Sequence, residues 1–146
     1  MEETLKKFFL ASLLGMFLST WAAVAGAVNE VKAVYHINEG LEQAVAALRN
    51  ARNHLDADPD AKIIFVAHGK GIDFLLDGAK DKNGNPFDAT VQTLKQRRVE
   101  FRVCRNTLTT RKIEESSVIM DANIVPSGVA EIARLQAREG FVYLRP

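Results

Sequence analysis

A chain of 146 residues suggests one domain, and 19 Lys+Arg against 18 Asp+Glu leave a net charge of +1. That balance argues against the concentrated basic face of a nucleic-acid binder, and 25% charged with 47% hydrophobic residues argues against a disordered or fibrous chain. A single cysteine excludes an internal disulfide framework; it leaves open an intermolecular bridge or a reactive thiol.

The chain opens on Lys6-Lys7, then an apolar run from Phe8 to Leu18, then small residues ending in Ala25-Gly26-Ala27. This layout predicts a secretory signal peptide over residues 1–27, cleaved at an A-x-A site, with Ala23-Val24-Ala25 as a second candidate. The alternative is an uncleaved anchor, because no formal charge interrupts Phe8 to Val28 and a bilayer core is roughly 30 Å thick. Either way the expected location is periplasmic or secreted, with membrane contact only through the N-terminal segment. The folded domain is expected over 28–146.

Glu30–His36 reads as a first strand with apolar residues on both faces, as in a sheet covered on both sides. Leu41, Val45, Leu48 and Ala51 repeat at helical spacing up to Leu55. Ala61–Ala67 is a nearly unbroken apolar run, a second buried strand, and runs directly into His68-Gly69-Lys70-Gly71. Ile72–Leu76 reads as a short helix, Asp81–Pro86 as a surface loop, and Phe87–Arg97 as a helix.

Val99–Cys104 is a third strand, alternating Phe101 and Val103 with Glu100 and Arg102. It meets Asn106 and Thr107, residue types that cap helices. From Thr107 to Met120 no clean stripe emerges, and a short helix or turn followed by a mobile stretch is expected. Ala122–Val125 is a fourth strand. Pro126-Ser127-Gly128 opens an amphipathic helix, with the proline suited to its first turn and Gly140 as its C-cap. Phe141–Pro146 is the last strand.

Strands alternating with helices predict an α/β fold with a mostly parallel sheet. Ligands bind such sheets where the loops leave the strand ends. That edge would gather His36 and Asn38, His68 to Gly71, Cys104 to Asn106, and Pro126 with Ser127. A thiol at a helix start favours its thiolate, and Arg105, Lys70 and Arg111 are candidate cations beside it. The bland alternative is a small buried hydrophobe. A Cys–His hydrolase would need His36 or His68 within reach of the sulfur. The three histidines, His36, His54 and His68, show no metal-ligand spacing, and no cofactor motif is present. The Gly69-Lys70-Gly71 turn is not a Walker motif.

The chain resembles the DsrE/DsrF-like family of sulfur-relay proteins, in the branch with exported single-domain members. The resemblance rests on Val34-Tyr35-His36, Leu48–Leu55, Val66–Ile72, Val99–Leu108, Ile124–Val129 and Leu135–Tyr143. It implies a three-layer α/β/α sandwich around a five-stranded parallel sheet, assembled as trimers or hexamers. It also implies that Cys104, at the position of the family's sulfur-carrying cysteine, holds sulfane sulfur as a persulfide exchanged with donor and acceptor proteins. The cleft would be formed by His36, His68, Gly69, Lys70, Gly71, Arg105, Asn106, Thr107 and Ser127. The chain departs from the branch in having Gly69-Lys70-Gly71 where glycine-proline-glycine is usual. The alternative reading is a non-catalytic oligomeric binding module with a structural Cys104.

Overall fold

The computed structural model describes residues 30–146; the expected signal segment and its cleavage sites lie outside the described residues. Five parallel strands form one sheet in the order β4-β3-β2-β1-β5. They are β1 (Lys32–Ile37), β2 (Lys62–Ala67), β3 (Glu100–Cys104), β4 (Ala122–Val125) and β5 (Val142–Leu144). Four helices connect and cover them: α1 (Leu41–Ala57), α2 (Phe87–Gln96), α3 (Arg105–Arg111) and α4 (Gly128–Glu139).

The alternation of side chains along each strand sorts them onto two unequal faces. Ala33, Tyr35, Ile37, Ile63, Phe65, Phe101 and Val103 point to the first face, where α1 and α2 add Leu48, Leu55, Val91 and Leu94. Its centre is aromatic: Phe65 packs on Phe101 at 4.9 Å, and Phe74 meets both rings at 6.4 and 6.3 Å. On the second face Val34, Ile64 and Val66 form a smaller buried cluster with Ile132 and Leu135 of α4 and the following Phe141. Helices on both faces make the expected three-layer sandwich. Among the described residues no helix is long and apolar enough to cross a membrane.

Three segments differ from expectation. Gly69–Leu75 is a 3-10 helix that starts at the first glycine, earlier than Ile72. Within it, a Cβ on Gly71 would lie 2.1 Å from the Ile37 carbonyl oxygen, so the chain crosses the end of β1 at backbone contact distance. The stretch after α3, expected to be mobile, is docked. Ile119 N–H donates to Leu75 O at 3.0 Å and Asp77 N–H to Ser117 O at 2.8 Å, which buries Val118 and Ile119. Backbone pairing with a distant segment anchors it, and such pairing leaves no helical periodicity. The last strand is shorter than Phe141–Pro146, because Phe141 turns into the second-face core.

Candidate functional site at the C-terminal edge of the sheet

Cys104 closes β3 in extended conformation and itself occupies the N-cap of α3. Asn106 and Thr107, expected as caps, lie inside the first turn. Their polar groups are used across the edge: Asn106 N–H donates to Pro126 O at 3.3 Å, and Thr107 Oγ1 accepts from Gly69 N–H at 3.0 Å. Pro126 therefore precedes α4 rather than entering its first turn. Ser127 is the cap, with its hydroxyl accepting from Ala130 N–H.

Gly128 then brings α4 against the thiol. A Cβ there would lie 3.3 Å from the Cys104 Cβ and 3.1 Å from the His68 Cβ, so a larger residue would force these walls apart. Burial pushes the Cys104 thiol up. The Gly128 N–H, the Thr107 hydroxyl and N–H, and the Asn106 N–H outweigh that and hold it below the usual thiol range. The cations expected to do this are engaged elsewhere. Arg105 pairs with Glu115 at 2.6 Å, and Arg111 pairs with Asp73 at 2.6 Å while donating to Gly69 O. Lys70 stands exposed.

The two edge histidines bond each other. His36 Nε2 and His68 Nε2 are 2.6 Å apart, and His36 Nδ1 is 2.6 Å from the Tyr143 hydroxyl on β5. Two imidazoles bonded through nitrogen need one donor and one acceptor, so both cannot be cations. Burial lowers the pKa of His68. Burial, then His68 and Arg145, lower that of His36 against the opposing charge of Glu39. Neither imidazole hydrogen-bonds the Cys104 sulfur among the described residues, the contact a Cys–His hydrolase uses, although His68 packs beside Cys104 around Gly128. His54 lies apart, bonded through Nδ1 to the Tyr35 hydroxyl at 3.1 Å. No group of three or more His, Cys, Asp or Glu among the described residues could hold a metal ion.

A cavity of about 250 Å³ opens between the start of the 3-10 helix and α3, lined by His68, Gly69, Asn106, Thr107, Thr110 and Arg111 but not by Cys104 itself. A larger one of about 440 Å³, between α1 and the 80–83 loop, shares no residue with it. The structure thus brings together His36, His68, Gly69, Thr107, Cys104 and Ser127, and leaves Lys70 and Arg105 at the exposed rim.

Three contributors escape a sequence reading. Tyr143 is one alternating residue of a short strand, and only its register opposite Val34 puts it beside His36. Gly128 follows Pro126-Ser127, a helix-start signal that does not reveal what the helix points at. Gln43 sits on an apolar stripe; its Oε1 accepts from Asn38 and Glu39 N–H groups, and its Nε2 donates to the His36 and Pro146 carbonyls.

Among solved structures, the chain is similar to MTH1491 from Methanobacterium thermoautotrophicum, described as a protein of unknown function. The identity is 29% and the TM-score 0.71, over 80% of this chain and 100% of that one. It is also similar in fold to the ychN protein from E. coli, at 17% identity and a TM-score of 0.67, over 80% and 99% of the two chains. No curated protein matches it. The family model described as DsrE/DsrF-like matches residues 16–145. Over nearly its whole length, then, the chain belongs to the DsrE/DsrF-like family.

Proposed function

We propose that this protein is a sulfur carrier that holds sulfane sulfur as a persulfide on Cys104. The observation that carries this reading is the setting of the thiol, ringed by N–H groups of Asn106, Thr107 and Gly128 that favour the thiolate without a dedicated base. Transfer needs little else. The Cys104 thiolate attacks the outer sulfur of a donor persulfide, R–S–SH. An Sγ–S bond forms as the donor S–S bond breaks, and its electron pair leaves on R–S⁻. No net oxidation occurs.

The proposed carrier is exported, on the strength of the Lys6-Lys7, Phe8–Leu18 and Ala25-Gly26-Ala27 pattern. It works as a homo-oligomer, a trimer or hexamer as in its family, and exchanges sulfur with donor and acceptor proteins. Exposed Val129 on α4, and exposed Val142 and Leu144 on the edge strand β5, supply apolar surface for that assembly.

The test is mass spectrometry of the protein after incubation with a sulfane donor. A mass gain of one sulfur atom on Cys104, lost on reduction and absent from Cys104→Ser, is expected. A free thiol that takes up no sulfur would refute the proposal.

One observation favours a second reading, an oligomeric binding module with a structural Cys104: the residue is only 5% exposed in the single chain. That reading predicts that Cys104→Ser retains every activity and partner of the wild type.

A further inference from the structure

The carrier step leaves a thiolate, R–S⁻, beside the site, and it leaves Tyr143, His36 and His68 without a role. These three form one continuous hydrogen-bonded line: Tyr143 hydroxyl to His36 Nδ1, then His36 Nε2 to His68 Nε2, each at 2.6 Å. One end is wet, for Tyr143 is 41% exposed on the edge strand. The other end adjoins Cys104. His68 packs with Cys104 around Gly128 and lines the cavity shared with Asn106 and Thr107, whose N–H groups face the thiol. His68 Nε2 is taken by His36, while Nδ1 has no hydrogen-bond partner among the described residues.

Resting on the carrier reading, we infer that Tyr143, His36 and His68 are a proton relay that protonates the donor's leaving thiolate. It thereby extends the usable donors to alkyl persulfides, whose leaving groups are basic.

In the relay's working tautomer Tyr143 donates to His36, and His36 donates to His68. As the donor S–S bond breaks, His68 Nδ1–H passes its proton to R–S⁻, giving R–SH. His68 Nε2 takes the proton of His36 Nε2, His36 Nδ1 takes that of the Tyr143 hydroxyl, and water reprotonates Tyr143. Cys104 ends as the persulfide, and one solvent proton has been consumed. His68 alone touches the reacting group; His36 and Tyr143 act through it. An acidic leaving thiol, such as a nitrothiophenol, departs without a proton and gains nothing from the relay.

The experiment measures the rate of sulfur loading onto Cys104 of the full-length protein with two probes, glutathione persulfide and a nitrophenyl persulfide. Positioned general acids contribute factors of 10² or more. His68→Gln is therefore expected to slow loading about 100-fold from glutathione persulfide and less than about threefold from the nitrophenyl donor. Tyr143→Phe removes one exposed hydroxyl and tests the line without disturbing the core; it should show the same donor dependence, reduced in size. Equal slowing with both donors, or none with either, overturns the relay while Cys104 remains a carrier. A wild-type protein that takes sulfur from neither donor overturns the carrier reading and the relay with it.

Discussion

The two faces of the sheet divide the work of the molecule. The first is packed with interlocking aromatic rings under α1, α2 and the 3-10 helix. The second carries one helix, α4, over a small patch of Val34, Ile64 and Val66. Its polar part is an ion-pair web in which Glu131 meets Arg102 and Arg134, with Glu139 also on Arg134. Yet the chemistry-bearing groups stand on the thin side. His36 and Tyr143 flank Val34 in the strand registers, and Cys104 touches the start of α4. A well-filled face can hold the strands in place, which frees the sparse one to keep polar groups in hydrogen-bond contact rather than in close packing.

The sharpest way to break this comparison is to empty the first face. Phe65 is fully buried among three rings, and Phe65→Ala should lower unfolding stability by about 3–5 kcal/mol in a urea titration. Leu135→Ala on the second face should cost less, about 2 kcal/mol, because fewer neighbours surround the void. An equal or larger loss at Leu135 would undo the distinction.

Gly128→Ala should cost about 1 kcal/mol through crowding, and have its main effect on chemistry. The wild-type thiol sits below its ordinary range, so its alkylation by iodoacetamide should begin at lower pH than that of a free cysteine. Pushing the Gly128 N–H away should move that onset back up.

The histidine pair gives a weaker handle. Both imidazoles are held below their ordinary range, so as pH falls the unfolded chain binds protons before the folded one does. The urea midpoint should therefore fall as pH drops through the ordinary imidazole range, and hold steady above it. His36→Gln should flatten that dependence and leave only the part that His68 contributes. Smallest of all, Asp60→Ala should change stability by less than about 0.5 kcal/mol, since its partner Arg98 is 3.9 Å away and both are exposed.

Much of the first face is legible in the chain itself. Ile63 to Ala67 reads as a buried strand because it is apolar at every position, and Leu48, Ala51 and Leu55 read as a helix because they recur at its period. The gathering of His36, His68, Cys104 and Ser127 at one edge follows from strand–helix alternation alone. What periodicity could not convey are contacts made across long separations. Val118 and Ile119 are buried through backbone bonds to Leu75 and Asp77 of another segment. Arg105 and Arg111 read as free cations until Glu115 and Asp73 are seen beside them. The N–H groups that favour the Cys104 thiolate have no side-chain signature at all.

The pairing of β1 with β5 also sets an order in time. His36 and Tyr143 lie 107 residues apart, and nearly the whole chain must be in hand before the hydroxyl can meet the imidazole. Contacts of such long sequence separation form late in folding, after the local helices and the neighbouring β1–β2 pair. The edge strand is also short, with its three residues exposed. Native-state hydrogen exchange should find β5 opening far more readily than β2, so the molecule would spend part of its life folded yet with Tyr143 detached from His36.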